Sequence, residues 1–422
     1  MSKAKSKSKS PAKNWVARWS DIPLYVRILV ALVLGVVTGL LLGERALVFE
    51  IPSKIILQLL GALAPPLILV AVTHVLMTTD VSGRMAGKLA VLLLLNTTVA
   101  IVIGMSVANL VRPGKWAELK VASGEQEAGT AAGKPASPWE LLVQNVPKSL
   151  LGPLGDKQNV IGVIVIAVAF GVALRGVKAK PIGNVQQLVE VAYEVLLTVL
   201  HWIIQLVPIG VFAIVVKVIG TEGFGPLKAM GAFVLAVLLA LALQAAWYLL
   251  RIRWFCWVRP RNALRGMRDA LLMAFSTSSS TATMPVTYKC LIEKVGVREK
   301  SASMGALVGA NFNNDGTALY EAMAALFVAQ MLGLDLSFVQ QLLIVLTSIV
   351  ASVGAAGIPE AGLVTMTLVF GAVGLPTQYI ALLLTVDWFL DRCRTTINVL
   401  GDVNVSCLLD GKVKEDRARR GA

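Results

Sequence analysis

The chain has 422 residues, 56% of them hydrophobic and only 15% charged, with a formal net charge of +14 and a mean hydropathy of +0.74. So little charge cannot coat a soluble domain of this length, which excludes an ordinary water-soluble enzyme and makes lipid the solvent. The positive excess does not point to nucleic acid. It gathers at the two ends (Lys3, Lys5, Lys7, Lys9, Lys13; Lys412, Lys414, Arg417, Arg419, Arg420) and in short loops, as the positive-inside bias produces.

In chain order, residues 1–20 form a basic tail with no apolar core of a signal peptide, expected to be disordered and cytoplasmic. Apolar runs long enough to span a bilayer follow at Ile28–Gly43, Ile55–Met77, Leu89–Val111, Val195–Val216 and Ala229–Leu250, with a marginal one at Val160–Leu174. Loops after the second, fourth and sixth spans are basic (Arg84 and Lys88; Arg175, Lys178 and Lys180; six arginines from Arg251 to Arg268). That alternation puts those loops and the N-terminus in the cytoplasm. Pro113 to Pro138 is Gly/Ala-rich and reads as an external loop. His74 and His201 stand alone in apolar helices and read as packed structural residues. Four scattered cysteines show neither a disulfide framework nor metal-ligand spacing.

The second half does not divide into simple spans. Ala270–Phe275 is a short apolar run followed by Ser276, Thr277, Ser278, Ser279, Ser280 and Thr281. Phe338–Ala351 leads into a tip running from Gly354 to Gly362, and a second apolar stretch follows. Two full crossings would put the basic loop of Lys289, Lys294, Arg298 and Lys300 outside. Two re-entrant hairpins, one from each face, remove that conflict. Irregular backbone at membrane depth is tolerated where it lines a polar cavity, and opposed broken helices commonly build transporter sites.

Ionisable groups within a membrane are costly and mark function by default. On a helix at about 100° per residue, Asp387, Asp391, Arg394, Asn398 and Asp402 fall on one stripe, with Thr395 beside it and Arg392 pointing away. An arginine, carboxylates and a carboxamide together can hold a zwitterion: the arginine forks onto a carboxylate and Asp391 takes an ammonium. The run Asn311-Phe312-Asn313-Asn314-Asp315-Gly316-Thr317 should break a helix and free oxygen ligands for an alkali cation, with Glu321 following. The Ser/Thr run has no Ser–His or Ser–Lys partner and no GxSxG, which argues against a hydrolase. An anion channel shares the polar re-entrant elements and would be separated from a carrier by the absence of concentrative uptake.

At these residues the chain resembles the dicarboxylate/amino acid:cation symporter family, the glutamate transporter family. The resemblance rests on Ser278-Ser279-Ser280-Thr281-Ala282-Thr283-Met284-Pro285, Asn314-Asp315-Gly316-Thr317, Ala356-Gly357-Ile358-Pro359, and Asp391-Arg392-Cys393-Arg394-Thr395-Thr396-Ile397-Asn398 through Asp402. It implies an all-α multi-pass fold of eight transmembrane helices plus two re-entrant hairpins, with inverted repeats. A homotrimer in the plasma or inner membrane is implied too. Its scaffold would comprise residues 21–88 and 159–220, and its elevator-type transport domain 89–112, 226–258 and 260–410. Residues 113–158 would form the external loop and 411–422 a cytoplasmic tail.

The implied cargo is glutamate, aspartate or a C4-dicarboxylate, driven by sodium or protons, with no cofactor; a neutral amino acid carrier of the same fold is the near alternative. Ser279, Ser280, Thr317, Ile358, Gly362, Asp391, Arg394, Thr395 and Asn398 would bind substrate. One sodium would use Gly309, Asn313, Asn398 and Asp402. A deeper one would use Asn96, Thr97, Asn313 and Asp315, and a third Asn311, Asn314, Ser352 and Ala355. Glu321 matches a glutamate tied to proton or potassium countertransport. The chain departs from the family pattern at Asn314 for methionine, Leu93 for tyrosine, Asn311 for threonine, and at the added charge of Glu360. Arg392 stands as the counterpart of an arginine that some members carry at the position of Ser278.

Overall fold

A computed structural model describes residues 22–49, 84–116, 183–354 and 361–412, with isolated positions between 51 and 77 and at 166. Every regular element among them is helical. Lipid imposes this, because a helix satisfies its backbone polar groups within one segment. The helices used below are α1 (Leu24–Leu42), α2 (Arg84–Val111), α3 (Gly183–Glu222), α4 (Gly225–Phe255), α5 (Arg268–Thr277), α6 (Ser280–Cys290), α7 (Gly309–Phe312), α8 (Asp315–Met331), α9 (Phe338–Gly354), α10 (Ala361–Ala372) and α11 (Ile380–Asp410), with short helices also at Pro260–Gly266 and Glu299–Ala302. Four stretches are long and apolar enough to cross a bilayer: Leu24–Phe49, Gly87–Trp116, Val185–Glu222 and Gly225–Phe255. The expected spans at Ile55–Met77 and Val160–Leu174, and most of the expected external loop, lie outside the described residues apart from isolated positions.

One difference from the hydropathy reading is α3. It runs for 40 residues, roughly 60 Å at the helical rise, and so outreaches a hydrocarbon layer about 30 Å thick. The apolar run Val195–Val216 is only its middle. Among the described elements, α1 and α3 pack chiefly on each other. Two glycines four residues apart allow the approach: a Cβ at Gly35 would lie 2.9 Å from Val215 Cβ, and one at Gly39 2.8 Å from the Val216 carbonyl. Small residues at such spacing let membrane helices gain contact that apolar lipid would otherwise match.

The remaining helices pack around α8, which is buried along its whole length except at Gln330. α2 and α4 lie against it, and α11 packs on α4, α5 and α8. α5 and α6 fold back on one another. Ser278 takes a left-handed φ of 53°, and the Ser279 hydroxyl caps α6 by accepting from Ala282 N at 3.0 Å. The feet of the pair are joined by an ion pair between Lys294 and Asp269. α9 and α10 also pack together; the tip between them, residues 355–360, lies outside the described residues and contains Ala355, Ile358 and Glu360. Between the two pairs the chain is helical but irregular, with π turns at Leu291–Val295 and Ser303–Val308. The helix stops after Phe312 and restarts at Asp315, leaving Asn313 and Asn314 outside helical geometry. The Asn/Asp/Gly run therefore breaks the helix as its composition predicts.

Candidate functional site

The stripe on α11 is buried: Asp387, Asp391, Arg394, Thr395, Asn398 and Asp402 are each at most 6% exposed. Arg394 is wholly enclosed. Its Nη1 donates to Asp387 Oδ1 at 2.7 Å and its Nη2 to Asp391 Oδ1 at 2.7 Å, and its guanidinium stands 4.0 Å from the centre of the Tyr320 ring. Desolvating a guanidinium is expensive unless such partners replace its water. One consequence is that Asp391, expected to hold a substrate ammonium, here holds Arg394. Among the described residues Asp387 Oδ2 and Arg394 Nε have no hydrogen-bond partner. Gly362, at the start of α10, comes close to this group: a Cβ there would lie 3.1 Å from Thr317 Cγ2 and 3.5 Å from Arg394 Nη2. Thr317, Gly362 and Arg394 thus meet, while Ile358 lies outside the described residues.

The two hairpin serines are also buried. Ser280 Oγ donates to the Ala310 carbonyl at 3.0 Å, tying the first hairpin to the broken helix. Asn398 braces the break from the other side. Its Oδ1 accepts from Gly316 N at 2.8 Å, and its Nδ2 reaches Asn314 Oδ1 at 3.3 Å and Thr317 Oγ1 at 3.4 Å. Arg392 leaves the stripe, as the helical wheel predicts. Half-buried, it donates to the carbonyls of Phe275 and Ser276 at 3.0 and 2.7 Å and lies over Tyr25 of α1.

The three residue sets assigned to cations differ. At the first, Asn313 Nδ2 donates to the Asn398 carbonyl at 3.1 Å and to Asp402 Oδ1 at 3.0 Å. Gly309 presses so near that a Cβ would sit 2.5 Å from Asp402 Oδ1. Among the described residues no cationic side chain pairs with Asp402, and Asn313 Oδ1 is buried without a partner. A half-turn of that carboxamide would give an all-oxygen cluster of carboxylate, carbonyl and amide, which suits an alkali ion. At the third set, Asn314 Nδ2 donates to the Ser352 carbonyl at 3.0 Å, but Asn311 turns back to Leu307 O in the preceding π turn and Ala355 lies outside the described residues. At the deep set, Thr97 Oγ1 donates to Asp315 Oδ1 at 2.7 Å, whereas Asn313 faces Asp402 instead.

Sequence reasoning missed the α4 side of the deep set. Tyr248 OH donates to Asp315 Oδ2, Arg251 Nη1 donates to Asn96 Oδ1, and Gln244 Nε2 donates to the Asn96 carbonyl at 3.4 Å. Arg251, counted as a loop charge by the hydropathy reading, is inside α4 and 5% exposed. The spacing of Gln244, Tyr248 and Arg251 on one face of an apolar helix was the available signal. Glu321 is likewise wholly buried, with Thr365 Oγ1 donating to Oε1 and Oε2 unpartnered. His201 differs from its expected packed state: it lies on an exposed face of α3, with Nδ1 at 2.7 Å from Leu197 O.

The sodium:dicarboxylate symporter family matches residues 24–412. The chain is 32% identical to excitatory amino acid transporter 3 of Homo sapiens, with 88% of this chain and 82% of that protein aligned. It is 33% identical to excitatory amino acid transporter 4 of Mus musculus, covering 84% and 76%, and 32% identical to excitatory amino acid transporter 1 of Ambystoma tigrinum, covering 88% and 80%. With its helical membrane architecture, its two packed helical pairs and this match along nearly all of its length, the chain belongs to the sodium:dicarboxylate symporter family.

Proposed function

We propose that the chain is a secondary active symporter that carries glutamate, aspartate or a C4-dicarboxylate with a coupling cation. The observation that carries this reading is Arg394, a fully buried guanidinium shared by Asp387 and Asp391 under Gly362. An incoming carboxylate would take the Arg394 fork, and with an amino acid the released Asp391 would take the ammonium, so Arg394 and Asp391 each exchange one partner for another while Asp387 gives up its bond to Nη1. A neutral amino acid brings only its α-carboxylate; with that group held at Asn398 and the Ser279–Ser280 tip, the guanidinium would have no side-chain carboxylate to bind, which disfavours that cargo.

Cation coupling has its own support. Among the described residues of this core, five buried carboxylates (Asp315, Glu321, Asp387, Asp391, Asp402) face two buried guanidiniums (Arg251, Arg394). An anionic cargo would deepen that excess of acidic groups, which favours the entry of positive charge with it, as an ion or as protons on the carboxylates. Sodium at Asp402 and Asn313 meets the need, and Glu321 is the group placed to carry a proton or exchange against potassium. The substrate set is Ser279, Ser280, Thr317, Ile358, Gly362, Asp391, Arg394, Thr395 and Asn398.

In this reading α1 and α3 belong to a trimeric scaffold and the α8-centred bundle is the elevator. The hairpins act as its two gates, and both termini lie in the cytoplasm. The test is radiolabelled uptake into liposomes with an inward sodium gradient, an inward proton gradient, or neither. Accumulation of aspartate, glutamate or a C4-dicarboxylate that follows one of the gradients is expected; none under any gradient would refute the reading. Competition with unlabelled aspartate and serine separates acidic from neutral cargo.

A further inference from the structure

The cluster between α2, α4 and α8 does not fit an alkali ion as the cluster at Asp402 does. Asp315 is wholly buried, and both of its oxygens are taken by hydroxyl donors, Thr97 on Oδ1 and Tyr248 on Oδ2. The carboxamide oxygen of Asn96, the next ligand an ion would want, already accepts from Arg251 Nη1. An oxygen holding a positively charged donor cannot also hold a metal cation at contact distance, because the two charges would repel in a low-dielectric interior. Tyr248 is wedged in place: its carbonyl accepts from Asn404 Nδ2 at 2.9 Å, and a Cβ at Gly401 would meet its hydroxyl at 2.9 Å. Arg251 lies one helical turn on from Tyr248, with its guanidinium beside Trp247, 5.7 Å from the ring centre. It makes no direct ion pair with Asp315 and reaches the cluster through Asn96.

We propose that Arg251 is a tethered cation, a built-in substitute that neutralises the Asp315 cluster so that no alkali ion binds there. Exchangeable cation binding is thereby confined, among these two clusters, to Asp402 and Asn313. The arrangement has a consequence for coupling. A solvent ion must be bound and released in each cycle, whereas a covalently attached charge travels with the helix. It stabilises the cluster equally in every state in which α2, α4 and α8 move together. The Asp315 cluster then supplies structural order and no coupling stoichiometry.

This inference rests on the symport reading, and its test needs no substrate. Melting temperature of the purified full chain is followed as sodium replaces N-methylglucamine at constant ionic strength. The slope against log sodium counts ions bound by the folded protein. Replacing Arg251 by glutamine (R251Q) is expected to lower stability in sodium-free medium and to steepen the slope by about one ion, while R251K keeps the wild-type slope. D402N is expected to flatten the wild-type slope and D315N to leave it unchanged. An unchanged slope in R251Q overturns the proposal, including the case in which no protein responds to sodium. If R251Q does not fold, the two aspartate variants decide, and a D315N slope that falls as D402N does overturns it. Uptake of labelled aspartate, measured separately, judges the symport reading itself.

Discussion

Replacing Arg394 by glutamine separates its two jobs, binding an anion and holding two buried carboxylates. In the structure Nη1 and Nη2 each make a 2.7 Å charge-assisted bond, to Asp387 and Asp391. A carboxylate substrate taking the same fork would form bonds worth about 1.5–3 kcal/mol each. Losing the pair costs about 3–6 kcal/mol, or roughly a 10²–10⁴-fold weaker affinity for aspartate. The same change strands Asp387 and Asp391 in a dry interior, a further loss of about 3–5 kcal/mol in fold stability. Adding Asp387→Asn removes one stranded charge, so the double variant should recover a good part of the stability but none of the aspartate affinity. Isothermal titration with aspartate and a thermal melt, run on the wild type, both single variants and the double, read the two quantities. If R394Q bound aspartate within about threefold of the wild type while remaining folded, well under 1 kcal/mol, the guanidinium would not be the anion's partner and the site reading would fail.

Other parts of the fold give independent checks. Gly39→Val puts a side chain against the Val216 carbonyl and Ile219; this overpacking should cost about 1–3 kcal/mol and lower the melting temperature without changing the affinity for substrate. Asn398→Ala leaves the Gly316 N–H without its 2.8 Å partner, a penalty of about 1–3 kcal/mol, read as faster hydrogen exchange across the 313–317 break. Gly309→Ala drives a methyl group toward Asp402 Oδ1, so sodium should be needed at higher concentration for the same thermal shift. At the polar end of α11, burial alone would push the Asp410 carboxyl up, but hydrogen bonds from Arg298 and Trp257 hold it below the usual carboxylate range. A lowered folded value means the latch stabilises fully above the unfolded value, about 3.9, and is lost as pH falls through the folded one. Proteolysis of the 293–300 loop should therefore accelerate as the medium becomes strongly acidic, and Asp410→Asn should show the faster cleavage at neutral pH.

The membrane character, the helical class, the two folded-back pairs and the break at Asn313–Asn314 were all legible from local sequence. Each depends on properties that neighbouring residues set together: apolar run length, the conformational preferences of Ser, Asn and Gly, and the placing of charge in short loops. The α11 stripe was legible for the same reason, since helical periodicity alone puts Asp387, Asp391, Arg394, Asn398 and Asp402 on one face. The Gly35 and Gly39 contact was not drawn from the sequence, because spacing marks a close approach only once the opposing helix is known.

What tertiary structure alone decided was the pairing of those groups. That Gly362 comes against Arg394, that Asn398 braces Gly316, and that Arg251 reaches Asn96 from 155 positions away follow from which helix faces are pressed together. Arg251 shows the difference most sharply. Its charge and its place near the end of an apolar run read as a solvated loop residue, and only the packing of α4 against α2 and α8 turns it inward. Hydropathy records how much a residue would prefer water; whether water is there depends on helices distant in the chain.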